Sequence, residues 1–118
     1  MSQTISGFSP TTKLSGGHNG LIFTKGSTSN ATINGTGLTN GLAVTVLFPR
    51  QSPNPHIKWT GVTANTNAGG TQCTAALIEQ LVNNGPHAGT KGDDPVTVSV
   101  TVGDATTDSN IQTGTAPP

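Results

Sequence analysis

Three histidines, one cysteine and a few carboxylates are the residues of this 118-residue chain whose types could carry chemistry. His18, His56 and His87 could ligate a metal or act as a general base. No two of them share a short ligand spacing such as His-x3-His, and each lies beside turn-forming residues, so they read as three loop histidines. Nucleophilic chemistry fares no better. There is no Gly-x-Ser-x-Gly elbow, and Cys73 alternates with Ala75 in a strand-like run, which reads as a buried structural thiol. A lone cysteine also leaves no intramolecular disulfide.

Asp93 and Asp94 precede the run "PVTVSVTV", and Asp104 and Asp108 follow it. Eight extended residues span roughly 25 Å, which places the two carboxylate pairs at opposite ends of a domain. Two carboxylates at each end fall short of the six to eight oxygens that Ca²⁺ takes, so no metal or cofactor is expected. "GPHAGTKGDD" has the wrong order for a phosphate loop and leads into a strand where that motif needs a helix. For sugar binding the chain holds a single Trp and no Tyr. In "HIKWTGV", Ile57, Trp59 and Gly61 share one face of a strand while Lys58, Thr60 and Val62 share the other. A sandwich commonly buries one Trp, which makes Trp59 a core residue; were it exposed, Trp59, Lys58 and His56 would be the ligand contacts. Asn30 and Asn34 both open N-x-T triplets, which arise by chance in so Thr- and Asn-rich a chain.

The elements that would position these residues are frugal. Leu, Ile, Val and Phe supply 24 of 118 residues, about 20%, a fraction at which disorder becomes the alternative to a core. Five basic residues balance five acidic ones, however, and the apolar residues come in short runs, so the chain folds. Its length suits one domain spanning 1–118, with 114–118 an extended tail. Only 8% of residues are charged, against roughly 25% in an average soluble protein. Lys13, Lys25, Arg50, Lys58 and Lys91 are scattered, which argues against nucleic acid and anionic membranes as partners. No apolar stretch approaches bilayer length, so membrane insertion is not expected, and "MSQTISGF" does not read as a signal peptide.

Val96, Val98, Val100 and Val102 alternate with Thr97, Ser99 and Thr101, the pattern of a half-buried antiparallel strand. "LAVTVLF" at 42–48 repeats it before Pro49. Further strands are expected at 4–8, 20–24, 31–35, 56–62, 70–76 and 109–113, with Gly, Pro, Asn and Asp in every interval. Gly35 and Gly37 permit a bend, and Asn40-Gly41 signals a tight hairpin into the next strand. One segment departs. Leu77, Ile78, Leu81 and Val82 stand at helical spacing ahead of Gly85 and Pro86, which predicts a short helix near 76–84.

The order "ISGFSP", "SGG", "ATINGTGL", "NGLAVTVLF", "KWTGV", "TQCTAALIEQLVNNGP" and "PVTVSVTV" resembles the IPT/TIG family of immunoglobulin-like domains over nearly the whole chain. Glu79 stands where that family's pattern has a proline, residues 88–95 lengthen the last hairpin, and 11–29 carries an extra apolar run, "LIF". The resemblance implies an all-β fold, an immunoglobulin-like antiparallel β-sandwich of seven to eight strands, used for adhesion, spacing or domain packing and without an active site. The expected function is a non-catalytic structural or adhesive module, not an enzyme. It would sit at a cell surface, outside the cell or on a virion such as a phage, and its partners would be protein, self-assembly included. The alternative is a carbohydrate-binding or spacer domain of a secreted glycoside hydrolase or a bacterial cell-surface protein, with polysaccharide as partner.

Overall fold

Alternation at period two governs most strands of the described residues. The computed structural model describes residues 2–23, 26–48, 57–81 and 95–114. These form nine strands: β1 (Thr4–Pro10), β2 (Thr12–Lys13), β3 (Asn19–Ile22), β4 (Thr28–Thr36), β5 (Ala43–Phe48), β6 (Ile57–Ala64), β7 (Gln72–Leu81), β8 (Pro95–Val102) and β9 (Ala105–Gly114). The all-β expectation holds, with nine strands among the described residues in place of seven or eight. The ninth is the two-residue β2, too short to leave a hydrophobic signature.

All nine belong to one mixed sheet in the order β1-β4-β7-β6-β5-β8-β9-β3-β2. Pairing is antiparallel except where β3 runs parallel to β9 through Gly20↔Gln112, Leu21↔Thr113 and Ile22↔Gly114. The sheet curls on itself like a barrel, bringing β1 beside β9. Ser109 Oγ donates to the Phe8 carbonyl at 3.5 Å across that seam. At the foot of the seam the Gln3 amide donates to Asp104 Oδ1 at 2.9 Å, and the Asp104 amide returns a bond to Gln3 Oε1 at 3.0 Å.

Inside the curl lie Phe8, Leu21, Ile33, Val44, Val46, Ile57, Trp59, Leu77 and the four alternate valines of β8. Trp59 is 0% exposed, and its indole N–H donates to the Ile22 carbonyl at 2.9 Å. β6 and β3 are four places apart in the sheet, so this bond crosses the interior and pins the two walls together. A buried indole N–H needs such a partner, and the ring fills volume that a chain poor in large residues lacks elsewhere.

Two expectations are corrected. Residues 76–81 of the anticipated helix belong to β7, while 82–84 lie outside the described residues. β7 is hydrogen-bonded on both sides, to β4 (Ala31↔Ala75, Asn30↔Ala76) and to β6 (Gly61↔Leu77, Thr60↔Ile78). Cys73, Ala75, Leu77 and Glu79 are buried while Ala76, Ile78 and Gln80 are exposed, a period of two. Two flanking ladders outweigh the weak local preference of a ten-residue segment. The second correction concerns Asn40-Gly41, where the chain does turn, with Gly41 at φ +84°. It is not a β-hairpin, since β4 pairs with β1 and β7 whereas β5 pairs with β6 and β8. The turn carries the chain across the core to a strand that is not its neighbour.

Candidate functional site

The loops after β4 and β6 meet at one end of the molecule and leave an open groove of about 380 Å³ between them. Gly37 at φ +68° bends the first loop off its strand, and Asn65 at +54° and Gly70 at +67° shape the second. The Leu38 amide donates to the Gly70 carbonyl at 3.0 Å, which ties the two loops together. Most polar side chains here hold loops in place. Asn40 Oδ1 accepts the Thr66 amide at 3.0 Å. Asn67 Oδ1 accepts the Thr71 and Gln72 amides at 2.8 and 3.2 Å, and its Nδ2 donates to Thr71 Oγ1 at 2.8 Å. Thr63 Oγ1 accepts the Leu42 amide and donates to the Thr39 carbonyl. The Thr66 hydroxyl is the buried group of the groove that has no partner. Among the described residues no titratable side chain lines the groove, and the polar ones that do offer it neutral hydrogen-bonding groups.

The trio weighed as ligand contacts does not come together. Trp59 points into the core, and Lys58, its neighbour on β6, lies half-buried on the outer face. Buried on all sides, the Trp59 ring has no face to stack on a sugar. His56 lies outside the described residues, as do His87, Asp93 and Asp94. His18 is exposed in the turn between β2 and β3, where its carbonyl accepts the Leu14 amide at 2.8 Å. Asp104 is engaged with Gln3, and Asp108 is exposed on β9. No group of three or more His, Cys, Asp or Glu side chains is near enough to hold a metal ion among the described residues. Cys73 is buried and free, as its alternation with Ala75 implied, and burial pushes its thiol above the ordinary value of 9.0.

Sequence reasoning passed over a set of buried polar residues. Glu79 and Thr113 face inward at 2% and 1% exposure, and Ser29 is fully enclosed, its Oγ accepting the Ile22 amide at 2.7 Å. The one signal for Glu79 was a charge standing in an otherwise apolar run, at the position where the IPT/TIG pattern has a proline. A scan against protein-family models finds no match to this chain, and neither do searches of curated proteins and of solved structures.

Proposed function

We propose that the chain is an immunoglobulin-like module of the IPT/TIG kind that acts by being bound, as a structural or adhesive component of a surface or virion, and not by turnover. The observation that carries this reading is the strand order. β1-β4-β7-β6 and β5-β8-β9 run in the strand order of the two layers of an immunoglobulin domain, although here β6 and β5 also pair, from Ala43↔Val62 to Phe48↔Ile57, and join the two groups into one curled sheet. β3, parallel to β9, extends the second layer. Trp59 crosses from one layer to the other, although it sits on β6 where antibody domains carry their core Trp on the strand equivalent to β5. Among the described residues the exposed surface is mostly Thr, Asn and Ser, on strands paired on both sides except β1 and β2 at the ends of the order, a near-neutral wall that suits protein contact and offers little to a polyanion.

The experiment is cross-linking of the chain in its native setting, followed by mapping of the linked peptides. Lys13 and Lys58 should link to protein, either other copies or a neighbouring component. Absence of any protein cross-link overturns the reading. The carbohydrate-binding alternative now rests on the loop groove, since Trp59 is enclosed. Saturable calorimetric binding of starch, chitin or cellulose oligomers, abolished by Thr66→Val, would replace the first reading with that one.

A further inference from the structure

Val62 and Ile78 are the exposed large hydrophobic residues among those described, at 56% and 47%. They are neighbours. Val62 stands in register with Ala76 on β7 and with Ala43 on β5, and Ile78 stands in register with Thr60, two residues along. All four apolar side chains lie on the outer face and are exposed. The result is an apolar row crossing three adjacent strands of a chain whose other outward positions are mostly Thr, Asn and Gln.

We infer that the outer face of β7 and β6, rimmed by Ala43 of β5 on one side and by the polar outer face of β4 on the other, docks a second copy of this chain. The inference rests on the module reading above and names the surface through which it would self-assemble. Three features select the occupant. β7 is bonded to β4 and β6, and β6 to β7 and β5, so no backbone group is free to pair with an extended peptide. The occupant must therefore meet the side chains and not the backbone. Next, Lys58 is the single charged side chain among the described residues of these strands that points outward, so a highly charged partner gains little. A neutral sheet fits better. Last, the face complements itself. A two-fold axis lying across the strands, between the Val62 and Ile78 rows, sets Ile78 of each copy over Ala76 of the other, large side chain onto small. The same axis separates the two Lys58 positions by about 20 Å, more than twice the screening length of about 8 Å at physiological salt.

The four strands, of six to ten residues, give roughly 500 Å² per copy. A pair therefore buries about 1,000 Å², the lower bound for a specific interface. An interface of that size associates weakly. Arrayed copies held by other contacts would reinforce it.

Sedimentation equilibrium from about 10 µM to 1 mM tests this. Wild-type mass should rise with concentration towards twice that of the chain. Ile78→Lys and, separately, Val62→Lys should each weaken association at least tenfold, and Thr106→Lys, on the opposite outer face, should leave it unchanged. Fluorescence of Trp59 verifies that each variant is folded. The inference falls if the wild type stays monomeric throughout, or if Thr106→Lys disrupts association as much as Ile78→Lys. A monomeric wild type whose Lys58 still cross-links to other proteins in its native setting overturns the self-docking face and leaves the module reading standing. Loss of both overturns both.

Discussion

Gly37 offers the sharpest test of how the β4 end is built, because two separate costs meet there. Its φ is +68°, and a Cβ placed on it would sit 2.5 Å from the Ser2 carbonyl oxygen. Gly41, four residues on, has φ +84°, and the Cβ of an alanine there would meet nothing within 4 Å. Replacing Gly41 by Ala therefore costs the left-handed conformation alone, about 1 kcal/mol. At Gly37 the same conformational cost applies, and the segment Ser2–Gln3 must also move outward. That movement pulls on the paired bonds between Gln3 and Asp104, each worth roughly 0.5–1.5 kcal/mol. Gly37→Ala should thus cost about 2–4 kcal/mol, and Gly37→Val more, since a β-branched residue tolerates this region least.

For a domain of this length 1 kcal/mol moves Tm by roughly 3–6 °C. The expected losses are then about 5 °C for Gly41→Ala and about 10–20 °C for Gly37→Ala. Thermal and urea unfolding followed by the fluorescence of Trp59, the single Trp of the chain, would measure both. Equal losses at the two sites would refute the role given to the Ser2 contact. A Gly37→Val variant that melts with the wild type would refute the bend itself. A truncation beginning at Thr4 separates the terms: with Ser2 and Gln3 gone, Gly37→Ala and Gly41→Ala should cost the same within about 0.5 kcal/mol.

Trp59→Phe removes the donor to the Ile22 carbonyl and part of the core volume, so stability to urea should drop by about 2–4 kcal/mol, read by circular dichroism. The Cys73 thiol has a raised folded pKa, so its stabilising effect is complete below the unfolded value near 9.0 and is lost as pH rises above it. Wild type should lose stability above about pH 9 relative to Cys73→Ala, and the thiol should react with a disulfide reagent only as fast as the chain opens. Asn67→Ala frees two backbone amides of the loop after β6 and should cost about 1–2 kcal/mol, with faster hydrogen exchange confined to Thr71 and Gln72.

The strands that alternate cleanly were legible. Val96 to Val102 and Val44 to Val46 bury the residues the pattern selects, because one face of each meets the core, although on the other face of β8 Thr97 and Thr101 are half-buried and Ser99 is buried. Cys73 followed from the same parity, and Trp59 from the burial that a single Trp usually has in a sandwich. The candidate site was less legible, for a physical reason. The groove is made of backbone turns and loop hydrogen bonds from Asn40 and Asn67, and Asn in a loop carries the same letter whether or not it folds over a hollow. The crossing at Asn40-Gly41 was misread as a hairpin because a turn's sequence reports local φ and ψ, while the strand it leads to is decided by packing across the core.

The one element read with the wrong period is also the one that breaks the pattern of the fold. On β7 the apolar Ile78 faces outward and the ionisable Glu79 faces inward, so their order is inverted relative to a strand that simply buries one face. That inversion places Leu77 and Ile78 side by side, and with Leu81 and Val82 beyond them it imitates a helical stripe. A pattern of this kind persists where something other than folding sets the residue. For Ile78 the register supplies a reason, since it stands two residues along β7 from the exposed Val62–Ala76 pair and extends that apolar patch. Ile78→Thr would restore the alternation and strengthen the β7 reading locally. If Ile78 exists for docking, that change should leave the melting temperature within about 2 °C of wild type while weakening self-association. If it exists for stability, the melting temperature should fall and association should not change.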